Sequence, residues 1–147
     1  MSFPQRMVRP PTAFSLSSTR KKHPRIKNGD HLKWIRTLPC ILTGSHAQVE
    51  AAHIRYGDPV YGKRETGNSE KSDDRWTVPL NATDHRQGPD SQHGNNERGW
   101  WASKGIDPLQ VASALWGVTG DTELAEVILR EAREKYLTFV RPGKTER

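Results

Sequence analysis

The chain contains two short apolar runs, Val49-Glu50-Ala51-Ala52-His53-Ile54 and Trp76-Thr77-Val78-Pro79-Leu80. The first run follows a stretch rich in Gly, Thr and Ser, which is typical of a loop that leads into a strand. In the second run Pro79 favours an edge strand or a strand end, because proline has no backbone N–H to donate. We therefore predict two short strands, with His53 on the first of them.

Residues 55–75 separate the two runs and are polar, with glycine or proline at four positions. The sequence predicts one long loop here. Loops of more than about 12–15 residues in a small domain are usually functional or disordered. The loop also carries Arg55, Lys63, Arg64 and Lys71. We interpret it as a candidate for contact with a nucleic-acid backbone, and plain disorder is the alternative.

Helical patterns lie on both sides of the strands. Asn28-Gly29-Asp30 predicts a turn and a cap, followed by a short helix that ends before Pro39. Asp107-Pro108 predicts the start of a helix that Gly117 ends. A last helix is predicted from about Asp121 onwards. Its apolar stripe, which we expect in the core, comprises Leu124, Ile128, Ala132, Tyr136 and Phe139.

The formal net charge of +6 is concentrated at the N-terminus. Residues 1–30 hold seven Lys and Arg against one Asp, a difference of +6, whereas residues 31–147 hold sixteen of each sign. The segment is rich in Pro, Ser and Thr and has no sustained period, which is typical of a disordered arm. Basic arms commonly bind phosphates, and a leader that only aids solubility is the alternative. The candidate nucleic-acid-binding residues here are Arg20, Lys21, Lys22, Arg25 and Lys27.

At 147 residues the chain is long enough for one compact domain. We divide it into a disordered basic arm (residues 1–29), one small α+β domain (residues 30–142) and a tail (residues 143–147). There is no run of about 18 apolar residues and no apolar core for a signal peptide, so we expect a soluble cytoplasmic protein without a membrane partner. The single cysteine, Cys40, excludes an intrachain disulfide and a thiolate-rich zinc site.

Three histidines in the polar middle of the chain are candidates for phosphodiester chemistry: His53, His85 and His93. Hydrolysis of a phosphodiester needs a base that activates water and a cation that offsets the charge building on the phosphate. A neutral imidazole can serve as base or as metal ligand at physiological pH. His53 follows two alanines that leave room for a phosphate, so we expect it to be the base.

His85 and His93 fit the role of metal ligands better, provided that the chain turns between them. On one continuous helix their eight-residue separation would span about 12 Å, too far for one ion bound at about 2 Å. Gly88-Pro89 breaks any such helix. The sequence therefore permits a shared metal without requiring it. Ordinary surface or hydrogen-bonded roles are expected of His23, His31 and His46.

Six strings follow one another between about residues 30 and 117. They are Leu38-Pro39-Cys40, Glu50-Ala51-Ala52-His53-Ile54-Arg55, Asp73-Asp74-Arg75-Trp76-Thr77-Val78-Pro79-Leu80, His85-Arg86, His93-Gly94-Asn95-Asn96-Glu97-Arg98-Gly99-Trp100-Trp101 and Gly105-Ile106-Asp107-Pro108. Their order and spacing resemble the HNH or ββα-metal nucleases, in particular the compact phage and prophage branch that includes the recombination-enhancement nuclease.

The resemblance implies a β-hairpin followed by a helix that holds one divalent ion, in a treble-clef-like element packed against further helices. By the same resemblance His53 is the general base, and His85 and His93 lie at the metal. It also implies a phage-derived endonuclease in a bacterial host cell, linked to DNA recombination or processing, with a possible recombination or replication protein as partner. The ion is Mg²⁺, Mn²⁺ or Zn²⁺, and the DNA is double- or single-stranded; the sequence leaves both open.

One departure from the family concerns zinc. Relatives often carry two Cys-x-x-Cys knuckles, whereas the corresponding positions here are Cys40-x-x-Thr43 and Asn81-x-x-Asp84. One thiolate of four remains, which argues against a structural zinc. Because Thr, Asn and Asp readily form turn hydrogen bonds, we expect the knuckles to persist as turns without a metal.

The second departure concerns the active site. Many relatives place a ligand Asp or His immediately before the base, where Ala52 stands here. Asp74 is the nearest replacement by chemistry, and orienting His53 or bracing the long loop are alternative roles for it.

Arg55 and Arg86 flank the candidate histidines and are candidates for phosphate binding, with surface salt bridges as the alternative. A catalytically inactive nucleic-acid-binding protein on the same fold is the competing function, and Ala52 favours it.

Overall fold

The computed structural model describes residues 25–65, 71–94 and 96–141. In these residues a two-stranded antiparallel sheet lies among helices, so the predicted α+β class is confirmed. The strands are β1 (Val49–His53) and β2 (Thr77–Asn81). The helices are α1 (Gly29–Arg36), α2 (Glu97–Lys104), α3 (Pro108–Gly117) and α4 (Thr122–Val140).

Both predicted strands are confirmed, and they pair with Val49 opposite Asn81 and His53 opposite Thr77. Pro79 lies in the middle of β2, and its carbonyl oxygen accepts a hydrogen bond from the Ile41 N–H at 2.9 Å. Because the N–H and C=O of one strand residue point to the same side, the missing N–H of Pro79 would face away from β1. The proline therefore removes no bond from the β1–β2 ladder.

The core lies where the helices cover the sheet. Helix α1 packs on both strands, and α3 packs on β2. Ile35 of α1 and Val78 and Leu80 of β2 are fully buried. Trp100 and Trp101 of α2 also pack inward. Within the described residues, no helix has the length and apolar character needed to cross a membrane.

Helix α4 was predicted correctly in position but not in the face that it buries. Ala125, Leu129 and Ala132 are buried, whereas Leu124 is 50% exposed and Phe139 is 56% exposed. The prediction that Leu124 and Phe139 belong to the core is therefore wrong. The helix carries apolar residues on two adjacent stripes, and the contact with α3 selects the stripe with small alanines, which allow the helices to approach closely.

The long loop predicted for residues 55–75 contains local structure. Pro59–Tyr61 forms a short 3₁₀ turn, and Asp58 pairs with Lys63 in an isolated bridge. The Asp58 carboxylate caps the turn by accepting from the Val60 N–H at 2.9 Å. Plain disorder, one of the two alternatives, is therefore wrong for residues 58–63. Residues 66–70 lie outside the described part of the chain.

The folded domain begins before the predicted boundary at residue 30. The Ile26 N–H donates to Asp73 Oδ1, and the Asp74 N–H donates to the Ile26 carbonyl, each at 2.9 Å. Residues 25–28 therefore run beside residues 72–74 and belong to the fold, as does the start of α1. Residues 1–24 of the predicted arm and the predicted tail lie outside the described residues.

The two positions that correspond to knuckles form turns that contact each other. Asn81 donates to the buried Cys40 thiol from its backbone N–H at 3.4 Å and from its side-chain amide at 3.3 Å. The same amide donates to Asp84 Oδ2 at 2.6 Å, and the Asp84 N–H donates back to Asn81 Oδ1 at 2.9 Å. A π-helical turn, Thr83–Gln87, begins at this point, directly after β2.

We expect Asn81→Ala to lower the free energy of unfolding by about 1–3 kcal/mol, because it removes the amide bonds to Cys40 and Asp84 and leaves the partly buried polar groups of Asp84 without these partners. Equilibrium unfolding in urea measures the change. Gln87→Ala, an exposed position in the same π-helical turn, is the control and should change the free energy by less than about 0.5 kcal/mol. Equal effects of the two substitutions would contradict a role for Asn81 in joining the turns.

Candidate functional site

His53, the last residue of β1, is hydrogen-bonded to Asp74. The His53 Nε2 lies 2.9 Å from Asp74 Oδ1. Asp74 is buried just before β2, whereas 26% of the His53 side chain is exposed. Among the described residues the other ring nitrogen of His53, Nδ1, has no hydrogen-bond partner. The arrangement is that of a carboxylate that orients an imidazole and leaves its second nitrogen for chemistry.

Asp74 is held from two further directions. Arg25 Nη2 lies 2.8 Å from Asp74 Oδ1, and the Asn28 N–H donates to Asp74 Oδ2 at 2.8 Å. Burial by itself raises the pKa of Asp74, but the bonds from His53 and Asn28 and the charge of Arg25 outweigh it and lower the pKa overall. Asp74 is therefore ionised at neutral pH.

The pKa of His53 lies below that of an exposed histidine. Burial lowers it, the hydrogen bond and charge of Asp74 raise it, and the charges of Arg25 and Lys71 lower it again. The net direction keeps the imidazole neutral, and therefore basic, at physiological pH. The lowered pKa agrees with the part of a general base.

We expect the ring protons of His53 to titrate with a pKa below about 6.5, the value for an unperturbed histidine. A pH series of heteronuclear NMR spectra measures the midpoint. A midpoint for His53 above the value of an unperturbed histidine would contradict the balance of charges described for this site.

His85 lies in the π-helical turn and contacts a carboxylate that the sequence did not single out. The His85 Nδ1 lies 2.7 Å from Glu50 Oε1, and Arg86 forms bonds of 2.7–3.2 Å with both oxygens of Glu50. The bonds from Arg86, followed by the bond and charge of His85, lower the pKa of Glu50 to about 2 in spite of partial burial. Because side chains alternate along a strand, Glu50 shares a face of β1 with Ala52. That shared face was the feature of the sequence that could have indicated Glu50 as a site residue.

His93 lies beside His85, as the break at Gly88-Pro89 allowed. The His93 N–H donates to the His85 carbonyl at 3.1 Å, and the ring centroids are 4.5 Å apart in a T-shaped contact. Partial desolvation lowers the pKa of His93, and the charges of His85 and Arg55 lower it further. The neutral form of His93 is therefore favoured, and neutral imidazole is the form that binds metals.

The His85–His93 pair fits a metal ion only in part. Within the described residues, no group of three or more His, Cys, Asp or Glu side chains is arranged to hold a metal ion. His85 nevertheless has its Nδ1 held by a carboxylate, as metal-bound histidines usually have, and its Nε2 has no hydrogen-bond partner in the described part of the chain. The described residues therefore bring two imidazoles together here, and an ion at this position would need its remaining ligands from water and substrate.

The candidate residues form two groups, both attached to β1. His53 pairs with Asp74, whereas His85 and His93 lie together beside Glu50. Glu50 and His53 are three positions apart on β1, which corresponds to about 10 Å of extended strand. The expected approach of His85 to His93 is thus present, and the hydrogen bond of His53 is to Asp74 rather than to a residue of the second group.

Two polar residues that sequence reasoning missed fix the end of β1. The Glu97 carboxylate accepts from the Arg55 N–H at 3.1 and 3.2 Å, and Gln92 Nε2 donates to Glu97 and, at 3.1 Å, to the His53 carbonyl. Burial raises the pKa of Glu97. These partners lie about 40 residues apart in the sequence, so no local pattern indicated them. They hold the backbone on both sides of Ile54.

The basic residues predicted to bind nucleic acid differ in their surroundings. Arg25 and Arg86 form ion pairs with Asp74 and Glu50, and Arg86 remains 52% exposed. Lys27 and Arg55 are exposed. Arg20, Lys21 and Lys22 lie outside the described residues. Phosphate binding by all of these residues stays a prediction.

A protein-family model described as a protein of unknown function, DUF968, matches residues 8–114, well over half of the chain. The chain belongs to the DUF968 family. Comparisons with curated proteins and with solved structures gave no match. The match to DUF968 includes β1, β2, the π-helical turn and α2, and so it includes every candidate catalytic and metal-binding residue named above.

Proposed function

We propose that this DUF968 protein is a divalent-metal-dependent DNA endonuclease of the HNH, or ββα-metal, type. One arrangement carries the proposal: a β-hairpin whose first strand ends in a carboxylate-bound histidine, His53, and whose second strand leads directly into a helical turn with His85 beside His93. The order of hairpin and helical turn agrees with the resemblance of the sequence to phage-derived nucleases that process DNA during recombination.

In the proposed reaction one residue of the chain, His53, moves a proton, and two others, Asp74 and Arg55, stabilise charges. His53 Nδ1 accepts a proton from water while Asp74 stabilises the resulting imidazolium. The water oxygen forms a bond to phosphorus, the bond from phosphorus to the 3′ oxygen breaks, and the released 3′ oxygen takes a proton from solvent. The products are a 5′-phosphate and a 3′-hydroxyl. Arg55 lies two positions after His53 and is exposed, and we assign it to binding a phosphate oxygen.

His85 and His93 are the residues that would hold the divalent ion, with Glu50 orienting His85. A bound Mg²⁺, Mn²⁺ or Zn²⁺ ion offsets the negative charge that develops on the phosphate and the leaving oxygen. Oxygen ligands from water and DNA suit Mg²⁺ and Mn²⁺, and imidazole ligands suit Zn²⁺. The residues of this site therefore do not select among the three ions.

One observation favours a second function, that of a DNA-binding protein without catalysis. Ala52 supplies no ligand, and in the described residues the protein offers two imidazoles rather than a set of three ligands. Such a protein would bind DNA through the same basic residues and leave it uncut.

Incubation of supercoiled plasmid with the purified protein and Mg²⁺ or Mn²⁺ tests the proposal. Nicking that requires the metal, stops on chelation and leaves ends that DNA ligase can reseal supports the nuclease. Plasmid that is retarded in a gel but stays intact with every metal supports the binding protein. Neither cleavage nor retardation, with double- or single-stranded DNA, would contradict both functions.

Deletion of residues 1–24 is expected to weaken DNA binding and to flatten its salt dependence. The deleted segment carries five Lys and Arg and no acidic residue, and Arg25 is retained. Each lost phosphate contact reduces the slope of log affinity against log salt by up to about 0.9. A full-length protein with these five residues changed to Gln is the matched control for charge without loss of length. An unchanged slope in both proteins would exclude the arm from binding.

A further inference from the structure

Residues 25–28, here called the N-terminal strap, are bonded to the segment that carries Asp74. Arg25 Nε donates to the Ser72 carbonyl at 2.9 Å, and Arg25 Nη2 lies 2.8 Å from Asp74 Oδ1. The backbone N–H groups of Ile26 and Asn28 donate to the carboxylates of Asp73 and Asp74. The strap is therefore bonded to the same buried carboxylate, Asp74, that binds His53.

We infer that Arg25 is a positioning residue for His53 and acts through Asp74, so that the N-terminal strap completes the general-base pair. This inference rests on the proposed function. Arg25 touches neither the water nor the phosphate in this scheme. It holds one carboxylate oxygen in place so that His53 keeps its orientation and Nδ1 stays directed away from Asp74.

The geometry at Asp74 carries the inference. His53 Nε2 and Arg25 Nη2 approach the same oxygen, Oδ1, at 2.9 and 2.8 Å, while Oδ2 accepts from the strap backbone at Asn28. Both oxygens are thus bonded, and rotation of the carboxylate away from His53 would break bonds to the strap. Asp74 is 3% exposed, so water cannot readily replace a lost partner.

The guanidinium is suited to this position and an ammonium is not. Arg25 uses Nε for the Ser72 carbonyl and Nη2 for Asp74, two acceptors that a planar fork reaches at once. A lysine would keep the positive charge but could bond only one of the two acceptors well. The charged groups that act on His53 are Asp74, Arg25 and Lys71, and Arg25 is the one bonded to Asp74.

Three variants test the inference: Arg25→Gln, Arg25→Lys and, as the control, Lys33→Gln, which removes a charge from an exposed position on α1. With plasmid and Mn²⁺, Arg25→Gln should lower kcat by about 10–100-fold, the effect typical of a group that orients a catalytic or metal-bound residue, with KM unchanged. Arg25→Lys should recover part of kcat, and Lys33→Gln should match the natural protein. A raised KM with unchanged kcat in Arg25→Gln would make Arg25 a DNA-binding residue and overturn the inference.

A second measurement does not depend on cleavage. The NMR titration midpoint of His53 should move to higher pH in Arg25→Gln, because the cation that opposes its protonation is gone. It should stay near the natural value in Arg25→Lys, which keeps the charge. An unchanged midpoint in a folded Arg25→Gln protein overturns the inference. If Arg25→Gln does not fold, a kcat of Arg25→Lys equal to that of the natural protein overturns it. Cleavage by none of the proteins, with a shifted midpoint, would refute the nuclease while leaving Arg25 coupled to His53 through Asp74.

Discussion

Replacement of His53 by alanine is expected to lower metal-dependent cleavage of plasmid DNA by about 10²–10⁴-fold, the range that a general base contributes. His53 Nε2 is bound to Asp74, so its Nδ1 is the nitrogen that can take a proton from water. Alanine removes that nitrogen and leaves Asp74 bonded to Arg25 and Asn28, and we expect the fold to persist. Initial rates of nicking under saturating DNA measure the effect.

The control for this substitution is His46→Ala. His46 is exposed on the segment before β1, and its loss removes an imidazole without touching Asp74 or Glu50. The His46→Ala protein should nick plasmid at the natural rate. DNA retardation should be equal in all three proteins, because His53 is assigned to chemistry rather than to binding. Cleavage that survives in His53→Ala would exclude His53 as the base and place the chemistry elsewhere.

Replacement of His85 by alanine is expected to reduce cleavage to the background seen with a chelator and to abolish saturable Mn²⁺ binding. His85 is one of only two imidazoles that the described residues offer to an ion here, and the other, His93, lies against it. One imidazole alone binds a divalent ion weakly, even when water and DNA supply further ligands. Electron paramagnetic resonance of free Mn²⁺ during titration measures binding independently of activity.

Glu50→Gln provides the graded comparison for the metal site. The amide can still accept a hydrogen bond from His85 but loses the charge that holds Arg86 and supports the ligand. Loss of such a supporting group usually weakens metal binding by about 10–100-fold. Mn²⁺ binding should therefore fall in the order natural protein, Glu50→Gln, His85→Ala. Binding that is unaffected by His85→Ala would exclude the His85–His93 pair as the metal site.

Local patterns were sufficient for most of the secondary structure. Asn28, Asp107 and Asp121 cap helices where polar residues precede a helical period, because a cap needs only a side-chain oxygen and the N–H groups of the next turn. The strands around His53 and Pro79 were likewise indicated by short apolar runs. The buried face of α4 could not be predicted in this way, since two stripes of the helix are apolar and only the contacts with α2 and α3 decide between them.

The candidate site likewise contains features that local patterns predicted and features that they did not. Residue type and the break at Gly88-Pro89 predicted that His85 and His93 could meet, and the structure brings their rings together. The hydrogen-bond partners of the histidines were not predicted. From the sequence, Asp74 had three possible roles, Glu50 had none, and Arg25 was assigned to phosphate binding. The actual partners could not be predicted, because each of these residues bonds a residue that is 21 to 49 positions away.

The sequence by itself determined the positions of both strands and of helices α1, α3 and α4, the concentration of positive charge before residue 30 and the three histidines on which the proposal rests. These features depend on residues that are neighbours in the chain, so their pattern is visible without coordinates. Only the tertiary structure decided that Asp74 is hydrogen-bonded to His53, that Glu50 is hydrogen-bonded to His85 and that the N-terminal strap is hydrogen-bonded to Asp74. Such pairs depend on strand register and on the path of the intervening loops, which place distant side chains within hydrogen-bond distance.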